Sequence, residues 1–248
     1  MAMLCNQNNL LNHKVEILRQ DRLSAANHLL KSGRTIALCV FIIFFPSILL
    51  ADASSDDSWP IHGGDNWEQR FSRIAEIKTD NVNQLGLAWT YDMGTYRGLQ
   101  ATPIMVDGTL YVSGTWGKVH ALDAESGEEI WKFNPHVPGK WGRYGCCDVV
   151  NRGVAFAKGR VFVASFDGRL FALNAKTGVV QWQVDTVNNV APYTSTGAPR
   201  IVKNMVLIGN AGADYGVRGF VTAYDVESGK QLWRFYTVPG DPKEPFEH

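Results

Sequence analysis

The 248 residues are 45% hydrophobic and 19% charged and include 8 tryptophans, a composition that excludes a disordered polymer and supplies a globular core. The 24 basic and 24 acidic residues cancel, so the chain lacks the electrostatic footprint of a nucleic-acid or anionic-membrane binder; a small molecule or another protein is the expected partner. Four cysteines are too few for a disulfide scaffold, and with Cys5 and Cys39 in the N-terminal segment the adjacent Cys146 and Cys147 remain.

From Thr35 to Leu50 the chain reads TIALCVFIIFFPSILL, preceded by Lys31 and Arg34 and followed by Ala51-Asp52-Ala53. Basic, apolar and small-x-small segments in that order predict a secretory signal over residues 1–53 with an unusually long N-region, cleaved after Ala53. A membrane span needs roughly 17–25 apolar residues; this run is slightly short and Pro46 interrupts it, so a signal is expected over a retained anchor. Residues 54–248 form the predicted folded domain.

Three segments of that domain are copies of one unit, starting at Leu110, Val161 and Val206, each ending in Ala-x-Asp/Asn-x-x-x-Gly-x-x-x-Trp. Trp131, Trp182 and Trp233 recur every 51 residues, as do Gly127, Gly178 and Gly229. A period of about 50 residues built from short strands predicts an all-β fold of the β-propeller type, because a four-stranded blade buries its faces only against its neighbours. Within a unit, Gly159-Arg-Val-Phe-Val-Ala164 predicts a strand, Asp167-Gly168 a tight hairpin turn, Leu170 to Leu173 the next strand, and residues 175–178 a second turn. The tryptophans that follow are predicted to pack between blades, since a fixed period marks a repeated core position. A looser copy runs from Trp59 to Leu87-Ala88-Trp89, giving about four units. Four blades could close a ring, but the last unit is followed by VPGDPKEPFEH, with no strand to close one.

The most specific local feature is Arg143-Tyr-Gly-Cys-Cys-Asp-Val-Val-Asn-Arg152-Gly. Neighbouring Cα atoms lie about 3.8 Å apart, under the roughly 4.4–6.8 Å usual for a disulfide, so bridging Cys146 and Cys147 makes a strained ring of the kind found at functional sites. Two reduced cysteines serving as small hydrophobes are the alternative.

That run occurs together with Trp-x-x-His-Gly at 59–63, Arg70-Phe-Ser, Arg97-Gly-Leu-Gln-Ala-Thr-Pro103, Thr196-Gly-Ala-Pro199 and Gly212-Ala-Asp-Tyr-Gly-Val-Arg-Gly219. In this combination and order, from Trp59 to His248, the chain resembles the methanol and ethanol dehydrogenases that depend on pyrroloquinoline quinone (PQQ). The resemblance implies an eight-bladed propeller with tryptophan-docking repeats, of which about the first four blades are present, holding PQQ on its axis beside Ca²⁺ or a lanthanide. It implies that Cys146 and Cys147 form a vicinal disulfide stacked on the quinone. Arg152 would bind the quinone's oxygens through its planar fork of donors, and Thr196 would donate to a PQQ carboxylate. Gly212 and Ala213 would bring backbone close to the cofactor, and Asp214 would bind the metal. Two positions depart from the common pattern. Gln100 stands where most members have Glu and carries no charge, and Asp214 replaces a Glu with an arm one methylene shorter, against a Ca²⁺–oxygen distance of about 2.3–2.6 Å.

The implied activity is oxidation of primary alcohols to aldehydes in the periplasm, with electrons passed to a cytochrome c or a membrane quinone. The catalytic Asp, the remaining metal ligands and the tryptophan on the quinone's other face are expected beyond His248, so this chain alone is predicted to be inactive and, with exposed blade faces, poorly stable. Sugar dehydrogenases that use PQQ are a near rival, against which the cysteine pair speaks. The other alternative is a non-catalytic propeller scaffold of the outer-membrane assembly type. The cysteine pair with Arg152 and the Gly-Ala-Asp motif argue against it, as does the lack of a lipobox cysteine after the apolar run.

Overall fold

The computed structural model describes residues 2–5, 58–188 and 191–245. The predicted signal peptide therefore lies, apart from Ala2–Cys5, outside the described residues. Strand β1 (Ala2–Cys5) pairs antiparallel with β2 (Gly86–Thr90). Three four-stranded antiparallel sheets follow. The first holds β3 (Ile104–Val106), β4 (Thr109–Ser113), β5 (Val119–Asp123) and β6 (Glu129–Phe133). The second holds β7 (Ala155–Ala157), β8 (Arg160–Ala164), β9 (Arg169–Asn174) and β10 (Val180–Asp185). The third holds β11 (Arg200–Val202), β12 (Met205–Gly209), β13 (Phe220–Asp225) and β14 (Gln231–Tyr236). Each is an up-and-down meander in sequence order, the blade of a propeller.

The repeat motif is a set of solutions to local backbone problems. After the third strand of each blade an Asx side chain closes a turn: Asp123 Oδ1 accepts from the Ser126 N–H and hydroxyl, Asn174 Oδ1 from those of Thr177, and Asp225 Oδ1 from those of Ser228. Four residues after the Asx comes a glycine at φ of 70–75° whose N–H returns to the Asx carbonyl, a conformation that costs a side chain dearly. The same glycine opens the space on which the tryptophan of the preceding blade lies. A Cβ on Gly178 would stand 2.6 Å from the ring of Trp131, and one on Gly229 would stand 2.8 Å from that of Trp182. Each indole also donates to the carbonyl just after the Asx, Trp131 to Ala175 at 2.8 Å and Trp182 to Val226 at 3.1 Å.

The cores therefore lie between blades. Trp131, Tyr111, Val119 and Ala121 of the first blade pack with Val161, Val163, Phe171 and Leu173 of the second. Phe162, Leu170 and Ala172 on the second blade's other face pack with Val206, Ile208 and Tyr224 of the third. Trp89 of β2 makes the same dock on Gly127 and the Ala124 carbonyl, so β2 is the outer strand of a further blade. The looser first copy is thus less regular than its sequence suggests. Among residues 59–85 the only sheet contact is a bridge from Trp59 to Met105, and positive φ at Glu68 and Arg70 breaks any extended run. Tight two-residue turns join the first two strands of each blade, at Asp107-Gly108 and Lys158-Gly159, where both φ values are positive, and at Lys203-Asn204, where Lys203 has φ 54°. Asp167-Gly168 instead closes a four-residue loop, with the Gly168 N–H donating to the Ser165 carbonyl. Among the described residues no helix is long and apolar enough to cross a membrane.

Candidate functional site

The connection from β6 to β7 carries the cysteine pair. It opens with a 3-10 turn, Gly139–Tyr144, whose Trp141 is buried against Val149 and Phe166. The Trp116 N–H, held at a positive φ of 69°, donates to the Val149 carbonyl and ties the connection to the first blade. Between these anchors Cys146 and Cys147 are pushed to the surface, and Asp148 takes a positive φ of 73°. Arg97, from the segment leading into the first blade, holds the Asp148 carboxylate. The two Sγ atoms are in contact at 3.1 Å as thiols. Their mutual hydrogen bond, then burial, then the nearby Asp214 carboxylate push the Cys146 thiol above its ordinary pKa.

Arg152 follows six residues on. Its backbone is held on both sides, the N–H donating to the Thr196 carbonyl at 3.0 Å and the carbonyl accepting from the Thr102 N–H at 3.3 Å. Its guanidinium donates to the Thr196 hydroxyl at 2.5 Å. Among the described residues it has no acidic partner, so an exposed positive charge with most of its donors free faces the cleft. The third wall comes from the connection between β12 and β13. Thr194 and Ala211 exchange backbone hydrogen bonds at 3.1 and 2.7 Å, and Gly212 then turns at φ 111°, where a Cβ would meet the Pro192 carbonyl at 2.6 Å. That turn presents Ala213 and Asp214, while Tyr215 reaches back to the Arg143 carbonyl at 3.3 Å and packs edge-on against Tyr144.

One cleft of about 70 Å³ thus brings together Cys146, Cys147, Arg152, Thr196, Gly212 and Asp214. Ala213 sits between two of them in the same turn. Gln100 does not join: it is exposed and stands two residues before Thr102, outside the cleft wall. Sequence reasoning missed Tyr144, Tyr215 and Thr194, which line the cleft as well; only tertiary packing brings them there. Two larger clefts, of about 320 and 480 Å³, lie on the outer face of the third blade and between Tyr91 and Lys132. Neither collects thiols, guanidinium and carboxylate as the small one does. A ligand pocket usually measures about 300–1,000 Å³, so the small cleft by itself does not enclose a ligand of that size. Among the described residues no three His, Cys, Asp or Glu side chains converge as a metal site would require; the carboxylates at the cleft are Asp214 and the Arg97-paired Asp148.

Residues 59–248 match the family model described as PQQ, glucose/ethanol/alcohol dehydrogenase, beta-propeller domain. Quinohemoprotein alcohol dehydrogenase ADH IIB of Pseudomonas putida is 52% identical over 198 residues, covering 80% of this chain and 29% of its own length. The 1-butanol dehydrogenase (cytochrome c) of Thauera butanivorans is 50% identical over 190 residues, covering 76% of this chain and 27% of its own. The crystal structure of quinohemoprotein alcohol dehydrogenase from Comamonas testosteroni superposes with a TM-score of 0.75 at 51% identity, over 77% of this chain and 29% of that one. The chain spans less than a third of the length of these relatives. With the family model covering every described residue from Trp59 onward, and a blade architecture shared with a solved relative, this chain belongs to the PQQ-dependent alcohol dehydrogenase β-propeller family.

Proposed function

We propose that the cleft is one wall of the PQQ site of an exported alcohol dehydrogenase that oxidises primary alcohols to aldehydes. The observation that carries this reading is the convergence of an acid-free guanidinium, a hydroxyl and two adjacent thiols in one cleft. PQQ is a planar, multiply anionic quinone and, when bound, supplies a two-electron acceptor for the alcohol carbon. Arg152 and Thr196 provide donors for its oxygens, where charge-assisted bonds are the strong ones. Cys146 and Cys147 present a flat, weakly polar surface for its ring face. As a disulfide the pair would lose its S–H donors and present only sulfur to the ring. Gly212 and Ala213 let backbone approach the cofactor edge.

Asp214 is assigned as one oxygen ligand of Ca²⁺ or a lanthanide, metals bound by oxygen donors. The cleft also holds Asp148, but Arg97 neutralises it, so Asp214 is the carboxylate left for a cation. Gln100 is assigned to the same site as a neutral hydrogen-bonding group that must swing inward from its exposed position to take part. Residues 1–53 are assigned as an export signal, whose removal would take β1 (Ala2–Cys5) away from β2, placing the enzyme in the periplasm, and the electrons pass to a cytochrome c or a membrane quinone. The cytochrome in the name of the Thauera butanivorans relative supports that acceptor.

No general base is assigned among the described residues. The 248-residue chain is therefore expected to bind PQQ yet leave alcohol untouched. Ethanol-dependent dye reduction after incubation with PQQ and Ca²⁺ checks this: turnover would overturn the assignment of the base elsewhere, and absence of PQQ binding would overturn the reading of the cleft.

A further inference from the structure

Asn151 directly precedes Arg152 and is only 2% exposed, while its neighbour faces the cleft. Three hydrogen bonds hold its side-chain amide. Oδ1 accepts from the Ser113 hydroxyl at 2.6 Å and from the Gly153 N–H at 3.1 Å, and Nδ2 donates to the Ala164 carbonyl at 2.8 Å. A backbone N–H only donates and a carbonyl only accepts, so the amide's orientation is fixed by its partners. Ser113 ends β4 in the first blade and Ala164 ends β8 in the second. One buried group therefore clamps the cleft loop to two blades at once.

The repeat shows that this use is specific to one position. Asn151 stands four residues before the inner strand of its blade, as Gln100 does before β3 and Thr196 before β11. Gln100 is exposed and Thr196 turns to the cleft; Asn151 alone is turned into the protein. The Trp116–Val149 backbone bond and the Trp141–Val149–Phe166 cluster anchor the loop on the side of the cysteines, and Asn151 is the buried side-chain tie next to Arg152. The Arg97–Asp148 pair lies near the surface, where ion pairs add little, and the Arg152 backbone bonds at 3.0 and 3.3 Å fix the chain direction without fixing its depth.

We propose that Asn151 is a positioning residue: its buried amide sets the depth and orientation of the Cys146–Arg152 loop, and through it the placement of the guanidinium and the sulfur pair against the cofactor. The inference rests on the reading of the cleft as a PQQ site, but it has a readout that does not. Asn151→Asp keeps the side chain's volume and the acceptor for Ser113 and Gly153, sets an oxygen against the Ala164 carbonyl in place of a donor, and when ionised buries a charge at a site only 2% exposed, so its effect is at least that of the lost hydrogen bond. Losing one such buried hydrogen bond and leaving its partner unsatisfied corresponds to about a tenfold change in an equilibrium.

The expected results for N151D in the 248-residue chain are about tenfold weaker PQQ binding and a severalfold change in the rate at which a thiol reagent labels Cys146 and Cys147, with the far-ultraviolet circular dichroism of the blades unchanged. Ser113→Ala, which removes one donor from the same clamp, is the milder variant, expected to shift both quantities in the same direction by a smaller factor; it decides the question if N151D fails to fold. A purely structural role would lower the melting temperature and leave labelling rate and PQQ affinity in the folded fraction unchanged, and that result for S113A would overturn the proposal. If the unmodified chain binds no PQQ, the cofactor reading fails, and the labelling rates still judge the clamp.

Discussion

His120 and Tyr91 show how one residue pair changes the character of a repeated position. In the second blade the equivalent residue is Phe171, against which Phe133 packs edge-on at 5.0 Å; in the first, Tyr91 meets His120 edge-on at 5.4 Å and its hydroxyl contacts the imidazole Nδ1 at 2.9 Å. Glu129 accepts from Tyr91 and lies 3.3 Å from the same Nδ1, while the buried His120 Nε2 has no partner among the described residues. Burial lowers the His120 pKa, against the pull of Glu129 and aided by Lys132 and Lys118. The unfolded chain therefore takes up a proton near the ordinary value of 6.5 while the folded chain still resists it. Stability due to this group is whole above pH 6.5 and falls as pH drops below it, until the lower folded pKa is passed. His120→Phe, which installs the second blade's residue, is expected to flatten that part of the profile. Urea midpoints at pH 7.5 and 5.5 check it, and an equal drop in both proteins would show that His120 is not the source.

At the scale of the element, the docking of a tryptophan on the next blade's glycine joins sequence pattern to architecture. The pattern was legible because the Asx, the glycine and the tryptophan each answer a local demand, for a turn, a positive φ and a space, and so recur at fixed spacing. The strands and the order of the blades follow from it. Residues 59–85 carry no such set, so their apparent membership of a fourth copy held only for β2. The cleft was legible in part. Cys146, Cys147, Arg152, Thr196, Gly212 and Asp214, drawn from separate motifs, line one cleft, whereas Gln100 stays outside it and the aromatic wall of Tyr144 and Tyr215 has no spacing to announce it. Asn151 was equally silent, since its importance lies in burial and three partners on other segments. Gly178→Ala tests the dock: the added Cβ enters the Trp131 ring at a positive φ, and overpacking of this kind costs about 1–3 kcal/mol. Chemical denaturation followed by tryptophan fluorescence is expected to show that loss, and a variant as stable as the parent would mean the ring is not held by the glycine.

At the scale of the whole molecule, three blades and the outer strand of another bury their faces in sequence, and the last outward face stays open. Trp131 is 8% exposed in its dock, while Trp233, at the equivalent position of the third blade, is 40% exposed beside Leu232 and Phe235. The cleft is open in the same sense, since the loops that lead into successive inner strands supply one wall of it. A chain that spans under a third of its relatives and carries this wall should hold the cofactor by the groups it owns, chiefly Arg152. The most direct test is a titration of PQQ into the 248-residue chain, followed by quinone absorbance, in the parent and in Arg152→Gln. Hydrogen bonds to a charged group contribute about 1.5–3 kcal/mol. Saturable one-to-one binding that weakens by roughly 10- to 100-fold in the variant is expected; saturable binding of equal strength in both proteins, or none in the parent, would contradict it.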